Sequence, residues 1–112
     1  MSAPEIRNAV IVDARIYFDR GMLTAWLDLD YGSSVQGFGG FALWTPSAMR
    51  AVKPTAHAGQ FLARCIQVAD AESWGRIVGR TVRASCSHER VEAIGHIVKE
   101  DWFNPQNDFY GK

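Results

Sequence analysis

The chain has 112 residues, with 12 basic and 12 acidic side chains and a formal net charge of zero. This length predicts one domain over residues 1–112 that buries a real core. The neutral total argues against a duplex-DNA binder, and no apolar run approaches the ~20 residues that span a bilayer. Two cysteines, Cys65 and Cys86, lack the pattern of a disulfide framework or a zinc site, so we expect reduced, buried thiols in a cytoplasmic protein.

The N-terminal part has the patterns of two paired strands. Residues 6–12 are rich in apolar side chains, and residues 16–18 continue them past a bend. A turn at residues 19–21 is of the kind that closes hairpins. Residues 23–31 alternate apolar and polar side chains, which predicts a strand with one buried face.

A third strand is predicted from Val35 to about Trp44, and it carries three glycines around one phenylalanine. Gly37, Gly39 and Gly40 lie within four residues of each other. Glycine weakens a strand unless a bulge, a bend or a close approach by another group needs the missing side chain. We therefore expect residues 36–41 to be the place where the fold leaves room for another group.

The middle of the chain predicts helices. Residues 45–55 hold two prolines and no sustained periodicity, which is typical of a loop, either a functional one or a plain surface connection. Thr55 is a candidate N-cap for a helix from Ala56 to about Ala69, whose apolar residues recur at three- and four-residue spacing. A short helical turn containing Trp74 follows and ends at Gly79.

The C-terminal part predicts a second hairpin. Residues 80–86 alternate again, a turn occupies residues 87–90, and a closing strand covers residues 91–98. Residues 99–104 form a short terminal segment, and a flexible polar tail begins at about Pro105. The order βββααββ predicts an α+β fold, an antiparallel sheet of about five strands with one long and one short helix packed on it.

No combination of side chains predicts catalysis. Asp28 and Asp30 share one side of a strand. They could bind a metal ion there, or they could simply lie on a solvated strand face. His88 lies near two serines but without the strained turn that exposes a nucleophile. The glycine-rich stretch has no following lysine and no helix start, so it is not a phosphate-binding P-loop. We expect no enzymatic activity, no metal and no cofactor.

Binding of an anionic ligand that carries a base is better supported. Such ligands need arginines or backbone N–H groups for phosphate and a flat side chain for the base. The chain supplies these groups at the start of one strand and near its C-terminus: Arg80, Arg83, Trp102, Phe103 and Asn104. Each alone is explained as a solvated charge or a core residue, but together they predict a pocket that two subunits can share.

Three segments together resemble one group of proteins: LTAWLDLDYGSSVQGFGGFAL, ESWGRIVGRTVRA and VEAIGHIVKEDWFNP. They resemble small proteins of tailed phages and prophages, and in particular the first family of phage Thoeris anti-defence proteins, over roughly residues 6–105. The resemblance implies a non-enzymatic sponge in the cytoplasm of the infected bacterial host. Such sponges bind cyclic ADP-ribose isomers made by a bacterial defence enzyme and withhold them from its effector. It also implies homodimers that can assemble into hexamers, and in some members a second site for cyclic oligonucleotides.

The resemblance also implies where ligands bind. The residues of the ADP-ribose pocket would be Arg83, His88, Trp102, Phe103 and Asn104. Those of a second, inter-dimer site would be Gly39, Gly40, Arg80 and Thr81. Gln36 and Phe38 complete the ligand-binding set.

Two alternatives from other functional classes stay open. One is a phosphodiesterase that degrades the same signal. The other is a phage accessory protein that binds a host protein or single-stranded nucleic acid through Trp26, Phe38 and Trp44.

Overall fold

The computed structural model describes residues 5–44, 57–87 and 90–111. The strands are β1 (Glu5–Asp19), β2 (Met22–Asp30), β3 (Val35–Gly39), β4 (Thr81–Cys86), β5 (Val91–Gly95) and β6 (Trp102–Phe103). The helices are α1 (His57–Val68) and α2 (Pro105–Tyr110), with a 3-10 turn at Trp74–Arg76 between α1 and β4. All strand pairs are antiparallel, and the sheet order is β3-β2-β1-β4-β5-β6.

The prediction of an α+β fold with an antiparallel sheet is confirmed, with one strand more than expected. The predicted order βββααββ matches only roughly, because the short second helix is a 3-10 turn and a further strand and helix follow the hairpin. The extra strand is β6, a two-residue segment that pairs with the end of β5. The third predicted strand is shorter than expected, because after Gly39 only Trp44 pairs again, as an isolated bridge with Leu23. The last predicted strand also ends early, at Gly95 instead of Val98.

The polar tail expected from Pro105 is a helix over Pro105–Tyr110. Asn104 caps it, because its side-chain oxygen accepts a hydrogen bond from the backbone N–H of Asn107 at 3.2 Å. Gly111 ends it in the left-handed conformation, at φ 70°. The predicted long helix is confirmed as α1, whereas its predicted N-cap Thr55 and the predicted loop over residues 45–55 lie outside the described residues.

The sheet curls until its two ends approach each other. β3 and β6 are at opposite ends of the strand order, yet the ring centroids of Phe38 and Phe103 lie 6.1 Å apart. Phe61 of α1 covers this gap, with ring centroids 5.8 Å from Phe38 and 5.7 Å from Phe103. All three rings are fully buried, and each contributes about 1.5–3 kcal/mol of hydrophobic stabilisation. This aromatic cluster therefore joins the two ends of the curled sheet.

The glycines of β3 make room for a tryptophan of the neighbouring strand. A Cβ atom on Gly37 or Gly40 would lie 2.9 or 2.2 Å from the Trp26 indole. On β5, a Cβ on Gly95 would lie 2.6 Å from the indole of Trp102, its cross-strand partner. At both ends of the sheet, a bare backbone therefore lies under an indole ring.

Within the described ranges, no helix combines the length and the apolar character that crossing a membrane requires.

Candidate functional site

A cavity of about 450 Å³ lies where β3 faces β5 across the curled sheet. β6 pairs only with Ile94 and Gly95, so Val91–Ala93 of β5 have no described strand on that side. β3 likewise has a described partner, β2, on one side only. We call the gap between residues 37–39 and 91–93 the β3–β5 seam.

One wall of the cavity is aromatic and backbone. Trp26 and Phe41 line it together with Gly37 and Gly39. Gly39 has φ 126°, and a Cβ there would lie 2.3 Å from the carbonyl oxygen of Ala25. Only glycine fits this backbone, at the point before Phe41 where the regular ladder with β2 ends.

The opposite wall carries both signs of charge. Arg90 and Glu92 flank the buried Val91, and both are exposed and line the cavity. Neither side chain forms an ion pair or a hydrogen bond with another described residue. Arg90 therefore offers guanidinium donors, and Glu92 offers carboxylate acceptors, to a molecule in the cavity.

The third wall consists of amide side chains at the start of α2. Asn104, Gln106 and Asn107 all line the cavity. The cap uses the Asn104 side-chain oxygen, whereas the Asn104 side-chain NH₂ and both groups of Gln106 have no hydrogen-bond partner among the described residues. Amides both donate and accept, so this wall suits the mixed edge of a base.

Arg83, the first choice for a phosphate partner, is engaged within the protein. Its Nε donates to the backbone oxygen of His96 at 2.8 Å, and its Nη2 donates to that of Lys99 at 2.6 Å. The same Nη2 lies 2.9 Å from Glu100 Oε2, and these Arg83 contacts are the main reason why the pKa of that carboxyl is lowered. The guanidinium also lies over the Trp102 ring, 4.9 Å from its centroid. The structure thus brings Arg83 and Trp102 together, with residues 96–101 bound across them.

Residues 96–101, which we call the 96–101 loop, are held by further local bonds. His96 Nδ1 accepts from the backbone N–H groups of Val98 and Lys99, both at 3.0 Å. Arg64 of α1 binds Asp101 Oδ1 at 2.6 Å and donates to the Trp102 carbonyl at 3.2 Å. The hydrogen bond that Arg64 donates to Asp101, together with the positive charge of Arg64, lowers the pKa of Asp101.

The other predicted ligand residues are spread over the molecule. Phe38 and Phe103 belong to the buried aromatic cluster and present no surface for stacking. Gln36 accepts a hydrogen bond from the Tyr31 hydroxyl at 3.0 Å, and Arg80 donates to the Ala69 carbonyl at 3.1 Å. Gly40 contacts Trp26, Thr81 lies exposed opposite Val10 on β1, and His88 lies outside the described residues. The predicted residues that line the seam cavity are Gly39 and Asn104.

Within one protomer, the proposed inter-dimer set does not form a single site. Gly39 and Gly40 are at the end of β3, whereas Arg80 and Thr81 are at the start of β4, with β2 and β1 between those strands.

Sequence reasoning missed the charged wall and most of the amide wall. The sequence pattern places Arg90 in a turn, and it places Gln106 and Asn107 in a polar tail. A signal for α2 is present, since Asn104 followed by Pro105 is a favoured helix start and Gly111 a favoured helix end. No local signal places Arg90 across from β3, because the curl of the sheet brings them together.

The carboxylates considered as metal ligands are used locally. Asp28 Oδ1 accepts from Arg15 Nη2 at 3.0 Å, and Asp30 Oδ1 accepts from the backbone N–H of Gly32 at 2.7 Å. Across residues 5–44, 57–87 and 90–111, no group of three or more His, Cys, Asp or Glu residues is placed to hold a metal ion. Cys65 and Cys86 are free and buried, and burial raises the pKa of the Cys65 thiol.

In comparisons with known proteins, the chain matches no protein-family model, no curated protein and no solved structure.

Proposed function

We propose that the chain is a non-enzymatic binding protein that sequesters a cyclic nucleotide signal in the cavity at the β3–β5 seam. The ligand class is a cyclic ADP-ribose isomer, as the resemblance implies, in the cytoplasm of a phage-infected bacterium. The observation that carries this proposal is Arg90, an arginine with no protein partner among the described residues, on the wall of a cavity of about 450 Å³.

The size and chemistry of the cavity support a nucleotide. Sites for small molecules typically enclose roughly 300–1,000 Å³ and combine apolar walls with a few polar groups. Arg90 suits a phosphate, because a guanidinium donates two parallel hydrogen bonds to its oxygens. Glu92 suits the hydroxyl groups of a ribose, because its carboxylate oxygens accept hydrogen bonds that those hydroxyl groups donate.

The remaining walls support a base. Trp26 and Phe41 are aromatic side chains on one wall, and bases stack on such rings. The amides of Asn104, Gln106 and Asn107 supply donors and acceptors for the edge of the base. Of the residues predicted for the ADP-ribose pocket, this assignment retains Asn104. It replaces Arg83 with Arg90 as the phosphate partner.

The proposal includes self-association and a second site. The resemblance implies homodimers that can form hexamers, with cyclic oligonucleotides bound between dimers near Gly39, Gly40, Arg80 and Thr81. No duplex DNA, membrane, metal or cofactor takes part.

The experiment that tests the proposal is a binding and recovery assay. Cyclic ADP-ribose isomers, linear ADP-ribose and cyclic dinucleotides are titrated into the protein by calorimetry, and the bound ligand is then released by heat denaturation. Tight binding with recovery of intact ligand is the expected result. A shorter product would identify a phosphodiesterase, and the absence of heat with every nucleotide would leave a host protein or nucleic acid as the partner. The second alternative is weakened by Phe38, because its ring is buried.

A further inference from the structure

β1 extends well beyond the strand that pairs with one of its edges. It has 15 residues, and β4 pairs only with Glu5–Val10. From Asp13 to Asp19, the described pairing of β1 is with β2 alone. This half of β1 therefore has one edge that no described strand covers, and we call it the β1 edge.

The register shows which backbone groups point out from the β1 edge. Leu23 of β2 donates its N–H to Trp44 and accepts at its carbonyl from Leu43, so its backbone faces away from β1. Its partner in the ladder is Phe18. Because hydrogen bonding alternates along an antiparallel pair, Phe18 and Ile16 direct their N–H and C=O groups to the free edge, whereas Tyr17 bonds to β2.

The side chains along the β1 edge are apolar on one face. Ile16 is 42% exposed and Phe18 is 62% exposed, on the face that carries the core further along the strand. Tyr17, also exposed, lies on the opposite face between Arg15 and Asp19. A concavity follows the strand from Ala14 to Tyr17. A long, apolar edge of this kind is a template for pairing with another strand.

We propose that a second copy of this chain pairs with the β1 edge, antiparallel, around a two-fold axis at Tyr17. In this register, Ile16 lies opposite Phe18 of the second copy, and those residues exchange backbone hydrogen bonds. Arg15 lies opposite Asp19 of the second copy, twice by symmetry. Within its own chain, Arg15 already lies 3.2 Å from Asp13 and 3.0 Å from Asp28. Asp19 has no ion-pair partner among the described residues, so each chain adds a carboxylate to the exposed Arg15 cluster of the other.

Charge disfavours the registers whose axis lies further towards the start of β1. A two-fold axis at Ile16 would place Asp13 opposite Asp19, and one at Arg15 would place two guanidinium groups opposite each other. Like charges directly opposite are destabilising in a sheet, whereas opposite charges and aromatic–β-branched pairs each contribute about 0.2–1 kcal/mol. The axis at Tyr17 gives the favourable pairs and avoids both repulsions.

The interface joins two sheets into one continuous sheet of twelve strands, from the six strands of each copy. It rests on the proposed function only in the expectation of self-association. The β1 edge does not include any residue of the seam cavity. A failure to dimerise through this edge can therefore be told apart from a failure to bind the ligand.

The sharpest test is a disulfide across the two-fold axis. Tyr17 faces its own copy in a pair without hydrogen bonds, where Cβ atoms are about 4.5–5.5 Å apart, close to disulfide geometry. The variant Tyr17→Cys should form a covalent dimer under mild oxidation. The matched control Ile16→Cys should form much less, because its cysteine faces Phe18 of the second copy. No cross-linking in Tyr17→Cys, or equal cross-linking in both variants, would overturn the register.

A second measurement does not depend on cysteine. Sedimentation equilibrium of the full chain should show a dimer, and Asp19→Arg should weaken it about tenfold, since two ion pairs become two like-charge pairs. Glu72→Arg makes the same change in net charge away from the edge, and it should leave the dimer constant unchanged. A monomeric wild type, or a dimer that ignores Asp19→Arg, would refute the proposal.

Discussion

Arg83 and Arg90 lie at opposite ends of the β4–β5 hairpin and differ in what surrounds their guanidinium groups. Arg83 pairs across the ladder with Gly95, beyond which the 96–101 loop folds back, and two backbone carbonyls and one carboxylate bind it. Arg90 follows the turn, where no described acceptor binds its side chain, and lines a cavity. Of these two arginines, Arg90 is the one available to a ligand, because no described segment returns over it as the 96–101 loop returns over Arg83.

The two glycine–tryptophan pairs sharpen the same comparison. Trp102 over Gly95 is part of the closed arrangement around Arg83. Trp26 over Gly37 and Gly40 lines the open seam beside Arg90. The local device is the same at both ends of the sheet, and only the neighbouring segment decides whether a cavity remains.

The largest expected effect is on the seam, from Gly39→Ala. The new Cβ would be 2.3 Å from the Ala25 carbonyl at a backbone φ of 126°, so we expect a loss of about 3 kcal/mol in the free energy of unfolding. Urea denaturation measures it. The matched control is Gly59→Ala on α1, where no described atom outside the helix backbone lies within 4 Å of the new Cβ, and this change should stabilise by about 0.5–1 kcal/mol. Equal stability of the two variants would show that the seam does not need this backbone.

The next effect is on the 96–101 loop, from Arg83→Gln. Loss of the guanidinium leaves the His96 and Lys99 carbonyls without their donor, and we expect about 2 kcal/mol lower stability. Hydrogen exchange should become faster in residues 96–101. Nucleotide affinity should change little. Full stability together with lost affinity would instead return Arg83 to the binding site.

Arg90→Gln should lower nucleotide affinity and leave the stability of the fold nearly unchanged, the reverse of Arg83→Gln. Its side chain has no described partner, so the free energy of unfolding should change by no more than about 0.5 kcal/mol. Loss of a charge-assisted phosphate contact should weaken nucleotide binding by roughly tenfold or more. Calorimetry against the same ligands measures this, with Arg76→Gln as a control for net charge. If both variants bind as the wild type does, the seam is not the phosphate site.

The smallest effect concerns pH and the pair of Arg64 with Asp101. The pKa of Asp101 is lowered from its ordinary 3.8, mainly by the hydrogen bond from Arg64. The stabilisation is therefore present above that value and is lost as the pH falls through the lower pKa of the folded protein. Because the Asp101 side chain is 43% exposed, solvent screens the pair and we expect less than about 1 kcal/mol. Asp101→Asn should be less stable than the wild type near neutral pH, and the gap should close in acid. A gap that is constant with pH would contradict this role.

Much of the fold could be predicted from side-chain periodicity. The alternation in residues 23–31 and the apolar stripe of Phe61 and Cys65 predicted β2 and α1, since a half-buried element must repeat its apolar positions. β6 could not be predicted in this way, because two residues have no period. The candidate site was harder, since Asn104 was found only as a neighbour of aromatic residues, and the aromatic Phe38 and Phe103 are fully buried.

The sequence by itself determined the α+β class and the antiparallel pairing of neighbouring strands, and it marked the glycine-rich stretch of β3 as a place without side-chain bulk. These properties depend on local chain geometry and on the repeat of apolar side chains. The tertiary structure decided which arginine is engaged and which lines a cavity, where α2 lies, and which half of β1 keeps an open edge. Such outcomes depend on contacts between distant segments, namely the curl that brings β5 to β3 and the loop that folds over Arg83.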